Sequence, residues 1–240
     1  MTALVVGGSR GLGRGITEAF AVAAEPVVAV ARTAPAELPR GDAPIEYVLA
    51  DAGDPSVAGA LLDRVEPQTL VLVAGASPLS RPLQHHTWET FSANWNCDVR
   101  IAFHWLREAL LKPLRPGSKV IVISSGAALA GSPLSGGYAG AKATQRFITG
   151  YAQEESSRAG LGISFTAVLP RLTPMTDLGR PAVTAYAARY GLSEEEYVRQ
   201  LGEPLTPARA GKALVELAGR EPDAIGAAYL LTADGLAPLP

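Results

Sequence analysis

Short apolar runs alternate with longer stretches of helical spacing along the 240-residue chain. Leu4–Val6, Val27–Val30, Ile45–Leu49, Leu70–Val73, Val120–Ile123, Ile163–Val168 and Ala228–Leu231 predict seven strands. These runs are continuously apolar and do not alternate, as suits strands covered on both faces. Between them, Leu12, Ile16, Phe20 and Ala23 fall on one face at helical spacing. Asp54-Pro55 and Thr206-Pro207 each put a capping side chain before a proline suited to the first helical turn. The alternation predicts one α/β domain over residues 1–240, a parallel sheet with helices on both faces and right-handed crossovers. The stretch 172–205 breaks the rhythm. Within it Val183, Tyr186 and Tyr190 share a helix face, and Ser193 with Glu196 forms a capping-box pattern. Ligands in open α/β sheets bind beyond the carboxyl ends of the strands, so this insertion is expected to be a substrate lid.

Composition narrows the function classes. The chain is 48% hydrophobic and 18% charged, which predicts a packed globular protein. A net charge of −2 gives no footprint for nucleic acid or an anionic membrane. No apolar stretch approaches the ~20 residues of a bilayer span. The opening "MTALVVGGSR" lacks the basic region and apolar length of a signal peptide, so a cytoplasmic protein is expected. Three histidines and the single Cys97 show neither disulfide nor metal-ligand spacing. His85 and His86 read as surface residues, and Cys97, Trp88, Trp95 and Trp105 as helix packing.

Against that background, "LVVGGSRGLGRG" joins the first strand to the first helix, with Gly7, Gly11 and Gly13 at G-x-x-x-G-x-G spacing. Such a turn lets a pyrophosphate approach a helix N-terminus, whose free N–H groups suit an anion. A bare adenosine ribose is usually held by a carboxylate after the second strand. Here Ala31 is followed by Arg32, and Arg10 lies in the glycine turn. Two guanidiniums without an acid favour a 2′-phosphate, hence NADP(H) over NAD(H). Asp51 is a candidate acceptor for the adenine amino group.

The segment "GGYAGAK" sets Tyr138 and Lys142 four residues apart, on one helix face. A tyrosine ionises near pH ~10 in isolation, and a neighbouring cation brings that value down. Tyr138 is thereby suited to give a proton to a carbonyl oxygen or to take one from an alcohol, while Lys142 also reaches a nicotinamide ribose. Ser125, at the end of the fifth strand, is placed to hydrogen-bond the same oxygen.

With "VVGGSRGLG", "LADAGD", "LVAGA", "VIVISSGAAL", "YAGAK" and "VLPRLTPM" in this order, the chain resembles the short members of the short-chain dehydrogenase/reductase family over essentially its full length. The most specific element is Ser125, thirteen residues before the Tyr138-x-x-x-Lys142 pattern. The resemblance implies a Rossmann-type doubly wound sheet of seven parallel strands in the order 3-2-1-4-5-6-7. It implies a catalytic set of Ser125, Tyr138 and Lys142 with Asp98 at a fourth position. The implied cofactor contacts are Gly7, Ser9, Arg10, Gly11, Leu12, Gly13, Arg32, Asp51, Ala74, Gly75, Tyr138, Lys142, Pro170, Arg171 and Thr173, with no metal. A small carbonyl or alcohol substrate is implied, together with a homodimer or homotetramer built on the long helices after Val99 and Tyr138.

The chain departs from the family pattern in places. Leu72-Val73-Ala74-Gly75 replaces Asn-Asn-Ala-Gly, which predicts local repacking while Ala74 and Gly75 still admit the cofactor. Asp98 replaces an asparagine whose carbonyl, in the family, helps hold a water that relays protons to the lysine. A backbone role survives that change; the new carboxylate either attracts Lys142 or is a partly solvated helix acid. Asn94 and Asn96 are out of register with it. Arg171 replaces a glycine after Pro170, either meeting an anionic group or pointing to solvent. The cofactor threonine is Thr173 or Thr176, and Val6 in place of a threonine is expected to be tolerated. Tyr186, Tyr190 and Met175 are expected to form the substrate wall, for an apolar or aromatic ligand. The alternatives are a non-enzymatic NADP(H) sensor on the same fold, or a dehydratase or isomerase with bound cofactor.

Overall fold

The computed structural model describes residues 2–39 and 41–240. Strands β1 (Ala3–Val6), β2 (Val27–Ala31), β3 (Ile45–Leu49), β4 (Thr69–Leu72), β5 (Lys119–Ile123), β6 (Ser164–Pro170), β7 (Ala228–Thr232) and β8 (Gly235–Leu239) form one sheet. Their order is β3-β2-β1-β4-β5-β6-β7-β8. The first seven pair in parallel, in the expected order. The eighth strand corrects the expectation of seven. It pairs antiparallel with β7 through a turn at Ala233-Asp234, where the Asp234 N–H donates to Thr232 Oγ1 at 3.2 Å. Its sequence, "GLAPL", lacks an apolar run because it is an edge strand, where a proline such as Pro238 is tolerated.

The continuous apolar runs have a direct explanation in β1. Leu4 and Val6 enter one core layer and Ala3 and Val5 the other, all fully buried. Helices α1 (Gly11–Val22) and α9 (Pro207–Ala218) cover the second face, packing Ile16, Phe20, Leu214 and Leu217 against Val5, Val71 and Ile121. On the first face, α2 (Pro55–Val65) and α4 (Arg100–Leu111) bring Leu61, Leu62, Ile101 and Trp105 onto Leu4, Leu70 and Val120. The long α6 (Tyr138–Arg158) lies on this face too and adds Ala152. Trp105 also donates its indole N–H to the Ala52 carbonyl at 3.1 Å.

The anticipated caps form. Asp54 accepts from the Ser56 N–H, Thr206 from the Arg209 N–H, and Ser193 and Glu196 make a reciprocal capping box. Two packing expectations fail. Because α1 ends at Val22, Ala23 sits exposed at its C-cap and leaves the buried face. Trp88 and Trp95 are exposed, and only Trp105 of the three tryptophans is core.

One contact leaves no mark in the hydrophobic pattern. Helices α1 and α9 cross with Gly15 against Gly211: a Cβ on Gly211 would stand 2.3 Å from the Gly15 carbonyl oxygen. Helical glycines usually cost stability relative to alanine, but here the backbones occupy the space a side chain needs. We expect Gly211→Ala to destabilise the fold by about 1–3 kcal/mol through overpacking. Gly140→Ala, on α6 with nothing within 4 Å of its Cβ position, should instead stabilise it by roughly 0.5–1 kcal/mol. Urea midpoints that move the same way in both variants would refute this account.

Candidate active site

The crevice lies beyond the carboxyl ends of the parallel strands and has a volume of about 1370 Å³. Single small ligands usually occupy ~300–1000 Å³, so the space suits a dinucleotide together with a second molecule. Among the residues proposed for the cofactor from sequence, Ser9, Arg10, Leu12, Asp51, Pro170 and Arg171 all line it.

At the glycine turn the chain's own packing comes first. A Cβ on Gly7, whose φ is +99°, would meet the Ala74 nitrogen at 2.6 Å, and one on Gly13 would meet the Gly7 carbonyl oxygen at 2.0 Å. Only Gly11, with φ +53° and open space around it, is demanded by backbone conformation alone. Thr17 braces the turn, donating its hydroxyl to the carbonyls of Gly8 and Gly13. Arg10, at the N-cap of α1, supplies no side-chain cap, so the first N–H groups of the helix face the crevice. That cradle, with exposed Arg10 and Arg32 on its wall, fits an anionic dinucleotide. Asp51 turns one oxygen back to the Gly53 N–H at 2.9 Å.

The other end of the crevice holds the titratable groups. Helix α3 (Trp88–Asn94) and the π turn Trp95–Val99 lead into α4. Helix α6 starts hard against them: a Cβ on Gly137 would lie 2.2 Å from the Phe91 carbonyl oxygen, and one on Gly136 would lie 2.7 Å from the His86 ring. His86 therefore helps seat the first turn of α6, a role that no local pattern around it signals. Tyr138 is 9% exposed and lines the crevice. The Lys142 ammonium lies 5.5 Å from the centre of the Tyr138 ring.

Asp98 is fully buried, which removes the reading of it as a partly solvated acid. It sits on the π turn, a local widening frequent at functional sites. Its Oδ1 accepts from the Ala76 N–H at 2.8 Å, and its Oδ2 is 3.2 Å from Lys142 Nζ. The ammonium also donates to Gln145 Oε1 at 2.9 Å and, at 3.4 Å, to the Ile123 carbonyl. Burial by itself pushes the Lys142 pKa down; the Asp98 charge, then the Tyr138 hydroxyl and the direct Asp98 contact, outweigh it and hold the group above the ordinary lysine value. Burial, reinforced by Asp98, raises the nearby Cys97 thiol. The close approach of Asp98 depends on Gly75, where a Cβ would stand 2.8 Å from Oδ2. Asn94, out of register with the ion pair, holds the same loop by donating to the Ala76 carbonyl at 2.7 Å.

Ser125 follows β5 and lines the crevice, its Oγ accepting weakly from the Ala127 N–H at 3.2 Å. Its neighbour Ser124 is buried and donates to the Lys142 carbonyl at 2.7 Å. Beyond β6, Arg171 is exposed at the rim. Thr173 and Thr176 are both buried, but Thr176 is occupied locally: it donates to the Thr173 carbonyl and accepts from the Gly179 N–H.

The 172–205 insertion forms α7 (Gly179–Tyr190) and α8 (Glu194–Gln200). Tyr186, Tyr190 and Tyr197 stack on one another with ring centres 6.1–6.2 Å apart. Tyr186 and Tyr197 line the crevice, whereas Tyr190 does not. Met175 is 73% exposed and borders a separate groove near Arg14, so it drops out of the expected wall. Tyr197 and Gln145 escaped the sequence reading. Gln145 sits three residues after Lys142, on the same helix face, and that spacing was the available signal.

An open parallel sheet, a glycine turn beneath a crevice and a buried phenol–ammonium pair define a dinucleotide-binding α/β protein. The family model described as short chain dehydrogenase matches residues 1–187. The chain belongs to this family of oxidoreductases, whose members bind a nicotinamide cofactor. No curated protein matches the sequence. Among solved structures, the chain is similar to a single-residue variant of actinorhodin polyketide ketoreductase with NADPH: TM-score 0.80, 18% identity, covering 97% of this chain and 95% of that one. A short-chain dehydrogenase family protein from Francisella tularensis subsp. tularensis SCHU S4 gives TM-score 0.78 at 17% identity, covering 95% of each chain. A dehydrogenase/reductase from Sinorhizobium meliloti 1021 gives 0.73 at 23%, covering 95% and 91%. At such identities these likenesses describe the fold. Among the described residues no helix is long and apolar enough to cross a membrane, and no cluster of metal-binding side chains occurs.

Tyr186 ties the insertion to the loop before α6. Its hydroxyl shares a hydrogen bond with Ser132 Oγ at 2.6 Å and accepts from the Leu134 N–H at 3.2 Å. Tyr186→Phe strands that N–H, and we expect a loss of about 1–3 kcal/mol in urea unfolding. Residues 178–200 should also exchange their amide hydrogens faster; unchanged exchange there would contradict the tie.

Proposed function

We propose that the protein is an NADP(H)-dependent oxidoreductase that interconverts a ketone or aldehyde and an alcohol by hydride transfer. The observation that carries this reading is the buried Lys142 ammonium beside Tyr138, inside a crevice that begins at a glycine turn. The bound cofactor supplies or accepts the hydride. Gly7, Ser9, Gly11, Leu12 and Gly13 hold its pyrophosphate end, Ala74 and Gly75 let it approach the sheet, and Pro170, Arg171 and Thr173 flank its far end. Arg10 and Arg32 take a 2′-phosphate, and Asp51 the adenine.

The chain's own chemistry is then a proton transfer. Tyr138 donates its phenolic proton to the substrate oxygen in reduction and takes one back in oxidation. Lys142 stabilises the phenolate left behind, because its positive charge is held close by in a site shielded from water. Ser125 donates a hydrogen bond to the same substrate oxygen as negative charge gathers there. The segment 172–205 acts as the lid, and Tyr186 and Tyr197 offer an apolar or aromatic substrate flat surfaces with polar tips. The similarity to a polyketide ketoreductase with NADPH supports both the cofactor and the carbonyl chemistry. Two or four copies assemble through α4 and α6, whose outer faces leave Phe103, Phe147 and Tyr151 exposed.

Absorbance at the nicotinamide band, followed with a panel of ketones, tests the reaction: NADPH is consumed. Tyr138→Phe should lower kcat by about 10²-fold or more and leave NADPH binding intact; normal turnover in that variant refutes the proton donor. Cofactor choice is tested separately. Replacing both Arg10 and Arg32 with alanine should weaken NADPH binding by roughly 10²- to 10⁴-fold, since charged hydrogen bonds contribute ~1.5–3 kcal/mol each, and leave NADH binding nearly unchanged. An equal effect on both cofactors argues against the 2′-phosphate site.

A further inference from the structure

Gln145 has no part in the mechanism above, yet it is 2% exposed and both ends of its amide are hydrogen-bonded. Its Nε2 donates to the Asp98 backbone carbonyl at 2.9 Å, and its Oε1 accepts from Lys142 Nζ at 2.9 Å. The amide has one workable orientation. Flipped, it would set its NH₂ against an ammonium and its oxygen against a carbonyl. Gln145 is thus a strut between the π turn that carries Asp98 and the lysine of α6.

Asp98 completes the arrangement from the other side. Its Oδ1 has the Ala76 N–H, but Oδ2 is buried without a hydrogen-bond partner among the described residues. The nearest compensation for that oxygen is the ammonium, 3.2 Å away. Lys142 thus donates hydrogen bonds to Oε1 of Gln145 and the Ile123 carbonyl, and meets Oδ2 of Asp98 as an ion pair. Few other charges bear on the pair. Cys97, on the π turn, is a thiol whose ionisation burial opposes. The loop after β4, Ala74–Ala76, and the end of β5, Ile123–Ser125, carry no charged side chain, and Arg171 beyond β6 is exposed.

We propose that Asp98 and Gln145 are positioning residues for Lys142: Gln145 fixes where the ammonium sits, and the Asp98 carboxylate withdraws part of its field from Tyr138, setting how readily that phenol ionises. This rests on the reading of Tyr138 as the proton donor. A lone ammonium would favour phenolate strongly; an anion in contact with it cancels part of that effect, since its charge has the opposite sign.

The test uses the full chain with its seven tyrosines carrying ¹³C at Cζ. NMR titration follows each ionisation, and Tyr138→Phe identifies the resonance of Tyr138. Removing the anion in Asp98→Asn should lower the pH midpoint of Tyr138 by about one unit, and adding one in Gln145→Glu should raise it by about as much. Opposite movements support the proposal, whereas a loss of packing has no reason to produce them. Midpoints that stay put, or move the same way in both variants, overturn it. If Asp98→Asn does not fold, Gln145→Glu decides alone: a rise supports the proposal and no rise overturns it. The readout needs no turnover, so a failure to oxidise NADPH counts against the proposed reaction and leaves the titration result standing.

Discussion

An ammonium taken out of water is the constraint around which this site is built. Desolvating such an ion costs several kcal/mol, and only close, well-aimed acceptors offset it. Those around Lys142 come from three places: the π turn before α4, the next turn of α6 and the end of β5. Satisfying one charge thus fixes two helices relative to the sheet. It also explains why small residues gather where they do. Gly75 makes room for the Asp98 carboxylate, and Gly136 and Gly137 let α6 begin against His86 and Phe91. A side chain at Gly75 or Gly137 would push one of these partners away.

The same logic separates two kinds of glycine in the crevice. Gly13 allows close backbone packing, Gly11 supplies a left-handed backbone, and Gly7, with φ +99° and the Ala74 nitrogen close by, does both. A cofactor cradle of this shape is therefore preformed by internal packing, and the absence of side chains serves the fold before it serves a ligand. At the far side of the sheet the crossing of Gly15 and Gly211 anchors α1, whose N-terminus is the anion-facing end of that cradle. Stability and binding are coupled through one helix.

Much of the architecture was legible in the sequence because strands buried on both faces must be continuously apolar. Strands β1, β2, β4 and β5 announce themselves in this way, whereas β3, the other edge strand, carries Glu46 and leaves Leu49 exposed. Strand β8 does not, since an edge strand with a proline is held by its neighbour and a short turn, neither of which needs an apolar run. For the site, the glycine turn and the Tyr138–Lys142 spacing depend on local geometry, so they could be read directly. The state of Asp98 could not: whether an acid is solvated or paired depends on the π turn and on Gly75, twenty-three residues away in sequence. Gln145 was hidden for the opposite reason. A polar residue on a helix is ordinary until its neighbours across the helix interface are known. In the 172–205 insertion, helical spacing grouped Tyr186 with Tyr190, but it took the packing of α7 on α8 to put Tyr197 in the crevice and leave Tyr190 behind it.

Two ends of the crevice consequently differ in how they are held. The polar end is bound by charge and by hydrogen bonds between buried groups, so its atoms have little freedom. The end formed by residues 172–205 relies on three stacked rings and on the contacts of one tyrosine hydroxyl with the loop before α6. Ring stacks of this kind contribute only ~0.5–1.5 kcal/mol per pair beyond their burial. Such a wall can shift or exchange side chains without disturbing Lys142, Asp98 and Gln145. On the proposed reading, proton chemistry and substrate choice fall to physically separate parts of the same pocket, the first constrained by an ion pair and the second by aromatic contact.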